Sequence, residues 1–229
     1  MDATRIQETL AASESALASP GDLDLAATGF WTAVAAVKRD PELREEFGAR
    51  IARIDDASLQ RWALTRVPVR VGTGIMAFGT AVGLGVIAVA YAAEDPWNGL
   101  LLVGGTGMLL VTTHGLAHLA VGAMSGIRFT HWFIGSVWRP QPGVKVDYES
   151  YLAVSASRRA RMHASGAIVT KSLPFLLLGA AWGMHAPAWA WWVLIGIGVA
   201  SVITDVLWSV GASDWKRYRR EKRLADAGF

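Results

Sequence analysis

The chain has 229 residues, a formal net charge of +3 and no cysteine, and 52% of its residues are hydrophobic. The absence of cysteine excludes disulfides and thiolate metal sites. The apolar residues gather in long uncharged runs after Val71, a pattern that excludes an ordinary soluble domain. The basic excess flanks those runs, so it does not point to nucleic acid.

Residues 1–70 read as short amphipathic helices. Trp31, Val34 and Val37 form one apolar stripe. Asp40 can cap a second helix with Pro41 at its first position, and Leu43, Phe47, Ile51 and Ile54 then recur at helical spacing. This part is read as a cytoplasmic helical cap or a partner-binding arm, with nothing catalytic in it.

Four runs follow that are long enough to cross a bilayer: about 71–93, 100–124, 165–184 and 189–211. Gly79 and Gly83 give the first a small-residue pair suited to close helix packing. The links EDPWN and HAPAW carry no Lys or Arg. The 125–164 link carries Arg128, Arg139, Lys145, Arg158, Arg159 and Arg161, and the 213–229 tail is strongly basic. By the positive-inside rule both termini and the long link are expected in the cytoplasm, in a multi-pass protein of the cell membrane. Trp132, Trp138 and Trp215 are expected near the inner interface, and Trp97, Trp189, Trp191 and Trp192 at the outer one. Within the long link, GIRFTHWFIGSVW followed by PQPG suggests one or two strands and a turn at the membrane surface, and DYESYLAVSASRRARM an interfacial helix. His131 and His163 are expected at the interface and His185 in an outer turn. The expected fold class is an all-α membrane protein: a four-helix transmembrane bundle over 71–212, a small surface β element and a helical N-terminal segment.

Ionisable groups inside spans are costly and ask for a reason. Here they are His114 and His118 in the second span, Lys171 in the third and Asp205 in the fourth. His114 and His118 are four apart and share a helix face, the spacing by which two imidazoles hold one ion. Counted from the helix ends, His118, Lys171 and Asp205 lie at a common depth of roughly 9–10 Å. Ser201, Asp205 and Ser209 line one face of the fourth span. Two readings stand. His114, His118 and Asp205 form a zinc site with an open coordination position, or Asp205 pairs with Lys171 and the histidines are merely hydrogen-bonded.

Thr113-His114-Gly115-Leu116-Ala117-His118 resembles the HExxH helix of the site-2 protease family of intramembrane zinc metalloproteases. GIRFTHWFIG stands where that family has a β-hairpin. Gly166-Ala167-Ile168-Val169-Thr170 stands where it has a GPxxN-like motif, and Asp205 in TDVLW where it has an Asp ligand. The resemblance spans about Leu100 to Gly211. It implies a metal site on His114, His118 and Asp205, with Thr170 and Lys171 facing the same cavity as the catalytic candidates. Gly115 replaces the family's catalytic Glu, which takes a proton from the attacking water and returns it to the leaving amine. Thr170 replaces the Asn, and Val206 follows the Asp.

The expected function is therefore that of a site-2-protease-like protein that keeps a metal, zinc by its donor set, but lacks standard proteolysis. It would bind a membrane partner or substrate, such as a single-span protein or peptide, with Gly115→Glu expected to restore some cleavage. The alternatives are an active intramembrane zinc metallopeptidase and a structural membrane subunit without metal.

Overall fold

The computed structural model describes residues 1–20, 24–138, 142–206 and 213–229. Among these the chain forms, in order, α1 (Ala3–Ala18), α2 (Phe30–Val37), α3 (Pro41–Trp62), β1 (Thr65–Pro68), α4 (Val69–Ala90) and α5 (Trp97–Met124). There follow β2 (Phe129–Ile134), β3 (Pro142–Val146), α6 (Tyr148–Ala153), α7 (Ala156–Gly183), α8 (Ala188–Val206) and α9 (Asp214–Asp226). The molecule is mostly helical. Helices α4, α5, α7 and α8 are long and apolar enough to cross a membrane, the architecture of a membrane-type protein.

Much of the outward surface of these four helices is large and apolar, including Phe78, Leu176, Trp182 and Trp192. Water would penalise such a surface and hydrocarbon would not. Inside, Ile87, Leu102, Leu109, Ala181 and Leu194 form the bundle core. Gly83 lies against Leu109 and the backbone of Gly105, so α4 and α5 approach closely.

The third long helix departs from its expected start. Ser155, in extended conformation, precedes α7, which runs without interruption from Ala156 through the basic stretch into the apolar one. The DYESYLAVSASRRARM segment is thus split. Its first part is the short α6, capped by Asp147, whose side chain accepts from Glu149 N. Its second part belongs to α7. The fourth span ends, among the described residues, at Val206, and Ser209 of the expected polar seam lies outside them.

The sheet has three antiparallel strands in the order β1-β2-β3. Phe133 pairs with Arg66 on one side and Gly143 on the other, and the register slips between Phe129 and His131. Strand β1 is an addition to the expected hairpin: TRVP is too short and too charged to announce itself. Trp132 is buried within the protein: its indole fills the space beside Gly72 of α4 and Gly115 of α5, and its Nε1–H donates to Thr73 Oγ1 at 3.1 Å.

The N-terminal helices are no free arm. Ile6, Leu10, Phe30, Val37, Ile51 and Ile54 are buried in one core with Ile127, Tyr151, Leu152, Val154 and Met162. Burying such side chains contributes about 1.5–3 kcal/mol each. Asp40 caps α3 by accepting from Glu42 N and Leu43 N, with Pro41 in the first turn. An ion pair between Lys145 and the buried Asp55 joins β3 to α3.

Candidate metal centre

Three ligand-type side chains meet at one point: His114 and His118 from α5, and Asp214 from the first turn of α9. Their ligand atoms all lie within 4.8 Å of one another. Among the described residues this is the group able to hold a metal ion. The helical i, i+4 spacing brings the two imidazoles together, with ring centroids 4.8 Å apart. Ser213 caps α9 by accepting from Lys216 N and so aims Asp214 at them.

Hydrogen bonds fix the orientation of both rings. His118 Nδ1 donates to the Met162 carbonyl of α7 at 2.7 Å. A carbonyl only accepts, so this nitrogen carries the proton. His114 Nδ1 is 2.8 Å from Thr170 Oγ1, and the Thr170 hydroxyl donates to the Gly166 carbonyl at 3.0 Å. With its one proton so committed, the threonine oxygen accepts from His114. Each neutral ring therefore turns a bare Nε2 lone pair toward Asp214 Oδ2, at 3.1 Å from His114 and 3.0 Å from His118. Two lone pairs facing one carboxylate oxygen repel each other unless something positive lies between them. That is either a proton on each Nε2 or a shared cation. Ligating histidines commonly donate their second ring N–H to a carbonyl or other acceptor in this way.

The burial is graded. The His118 side chain is 10% exposed and that of His114 36%, so one flank of the cluster is open to an incoming ligand. His118 is seated on Gly166: a Cβ there would come within 2.3 Å of its Nε2. Burial works to raise the Asp214 carboxyl, but with protons on both Nε2 atoms the hydrogen bonds to His114 and His118 outweigh it and hold the group well below the usual carboxylate range.

Asp205 is a correction to the expected ligand set. It forms an ion pair with Lys171 instead of joining the histidines. A lysine on the same carboxylate competes with any cation there, and in apolar surroundings an unpaired Lys171 would be costly. Lys171 also lies 5.7 Å from the Trp215 ring, beside Asp214 in the chain. Thr170 does reach the cluster, through His114, while Lys171 does not touch its ligand atoms.

Gly115 faces Trp132. A Cβ at this position would come within 2.5 Å of the Trp132 ring, so a glutamate here would have to displace the indole. His163, expected at an interface, is buried, and its Nε2 lies 2.9 Å from Tyr151 Oη.

Sequence reasoning missed a second polar group on the same helices. Glu221 of α9 is fully buried and forms ion pairs with Arg159 of α7, at 2.7 Å, and with Lys38. Tyr151 Oη donates to it at 3.1 Å. Burial lowers the Lys38 amine to about 8 despite its pairing. Burial also works to raise Glu221, yet Lys38 and Arg159 bring it down to about 2. Both groups move down, but for Lys38 burial wins and disfavours the charge, whereas for Glu221 the cations win and favour it. Basic residues in a tail are common, and no sequence signal marks Glu221 among them.

No family model, curated protein or solved structure matches this chain.

Proposed function

We propose that this protein is a membrane metalloprotein that holds one divalent cation, zinc by its donor set, on His114, His118 and Asp214. The observation that carries this reading is the pair of Nε2 atoms held toward a single carboxylate oxygen, with both Nδ1 atoms already committed to Met162 and Thr170. Two imidazoles and one carboxylate suit zinc and leave a position for a further ligand. The exposed flank of His114 gives such a ligand its approach.

The resemblance of the α5 histidine pair, the following hairpin and the Gly166–Thr170 stretch to the site-2 protease family supports a shared design of the metal site. The proposed role departs from that family in its chemistry. Peptide cleavage needs a group that carries a proton to the leaving nitrogen, and such general acid–base catalysis contributes about 10²–10⁴-fold. Gly115 carries no such group, and Lys171 is engaged by Asp205. The protein binds a membrane-embedded partner or substrate beside the metal rather than cleaving it. Its place is the cell membrane, with both termini in the cytoplasm, on the distribution of Lys and Arg.

The test is metal analysis of the protein purified in detergent, as wild type and as His118→Ala, with a parallel cleavage assay on single-span peptides. One equivalent of zinc in the wild type, lost in His118→Ala, with no cleavage by either, is the expected result. A metal-free wild type that takes up no added zinc defeats the metal reading. Metal-dependent cleavage abolished in His114→Ala defeats the non-proteolytic one.

A further inference from the structure

We infer that Glu221 is a positioning residue for Asp214, and that Lys38 ties the N-terminal helices to the metal centre through it. The inference rests on the metal reading of His114, His118 and Asp214.

Asp214 and Glu221 are seven residues apart on α9, two helical turns, and so project from one face about 10.5 Å apart. Helix α7 carries the same interval: Arg159 holds Glu221 directly, and Gly166, seven residues later, seats His118, the α5 ring that faces Asp214. Helices α7 and α9 therefore run antiparallel and are registered at two levels, one at the metal cluster and one at the ion cluster.

Helix α9 also rests on half-buried Trp215, Tyr218 and Leu224, but its one fully buried contact is made by Glu221. Among its residues Glu221 is the one that is buried, and no fully buried apolar side chain anchors it. Its sequence, DWKRYRREKRLAD, is otherwise dominated by charges. A helix whose fully buried side chain is a carboxylate depends on the cations that receive it. Lys38 follows the last turn of α2, within a unit whose apolar core is built by α1, α2 and α3. The N-terminal helices thereby contribute one wall of the socket that fixes the third metal ligand, which gives residues 1–70 a role in the site although none of them reaches it.

The experiment measures zinc affinity of the full chain in detergent by competition with a chromophoric chelator. Lys38→Met leaves Glu221 paired with Arg159 and is the milder variant. Glu221→Gln is the stronger one, and Asp214→Ala gives the affinity of the two histidines alone. Lys38→Met and Glu221→Gln are expected to weaken zinc binding about 10-fold or more, a loss comparable to that of a group bonded to a ligand, because each loosens the helix that carries Asp214. In the Asp214→Ala background Lys38→Met should change affinity by less than about twofold, because its effect runs through Asp214. Lys38→Arg should restore binding. Wild-type affinity in both single variants, or a full further loss in the Asp214→Ala background, overturns the inference. If the wild type binds no zinc, the metal reading falls by itself, and amide exchange of the metal-free protein then decides the positioning claim. Exchange in α9 about tenfold faster in Lys38→Met, with α5 unchanged, upholds it, and unchanged α9 protection overturns it.

Discussion

The Met162 carbonyl accepts a hydrogen bond from His118 Nδ1 at 2.7 Å, and this contact between α7 and α5 decides which edge of the imidazole faces Asp214. The acceptor is backbone, so no side-chain substitution at 162 removes it. The ring's tautomer is set by the fold of α7 itself, and the ligand question passes to the carboxylate.

Asp214 and Asp205 are therefore expected to behave differently. Asp214→Ala should weaken zinc binding by at least about 10-fold, since it removes one of three ligands. Asp205→Ala should leave the affinity within about threefold of wild type and instead lower thermal stability, because it strands Lys171. Chelator competition and unfolding in detergent read the two effects separately. The reverse pattern would return Asp205 to the ligand set.

The seat of the imidazoles offers a second measurement. Gly166→Ala places a methyl within 2.3 Å of His118 Nε2 and should shift the ring off Asp214. Thr170→Val removes the acceptor for His114 Nδ1 while keeping the shape of the side chain. Each should cost about 10–100-fold in zinc affinity, with Thr170→Ser close to wild type. Unchanged affinity in Thr170→Val would show that the hydroxyl does not orient His114.

Gly115→Glu should not create a peptidase. The new side chain meets the Trp132 ring, and overpacking of this kind costs about 1–3 kcal/mol or more. The expected outcome is a lower unfolding temperature and no cleavage of single-span peptides. Pairing it with Trp132→Ala should recover part of the stability. A single variant as stable as wild type would mean that the indole yields easily.

Acid should release the tail helix. Glu221 is held at about 2, below the ordinary glutamate value near 4.3. For a depressed carboxyl the folded state gains stability above the ordinary value, and that gain is lost as pH falls from there through about 2. Asp214 is depressed as well, so the Asp214→Ala background isolates the Glu221 part. In that background limited acid proteolysis of α9 should increase from about pH 4 downward and should be independent of pH in the Glu221→Gln variant. Proteolysis with the same pH profile in both would remove Glu221 as the cause.

The four long helices were legible because an uncharged run of membrane length has few other uses, and the histidine pair because i, i+4 spacing on a helix puts both rings on one face. The third ligand was not. Equal depth in the bundle favoured Asp205, yet depth cannot tell a ligand from the ion-pair partner of Lys171. Asp214 follows a capping serine at the head of a basic helix, where an aspartate is ordinarily explained by the helix dipole. Only the return of α9 onto α7 reveals its second use. The seat of Trp132 was hidden for a related reason. An indole between polar and apolar stretches reads as an interface anchor, and nothing local announces the notch that receives it, made by Gly72 and Gly115, one on each neighbouring helix.

The histidines and their carboxylate are made at different times. His118 precedes Asp214 by 96 residues, and α7 and α8 are synthesised between them. On the metal reading, a cation captured before α9 is made would be held by the two imidazoles alone and would exchange freely. The arrival of α9 would add the carboxylate. Tight retention of an ion would then begin only when the tail has docked, and a firmly held metal would mark completed biosynthesis.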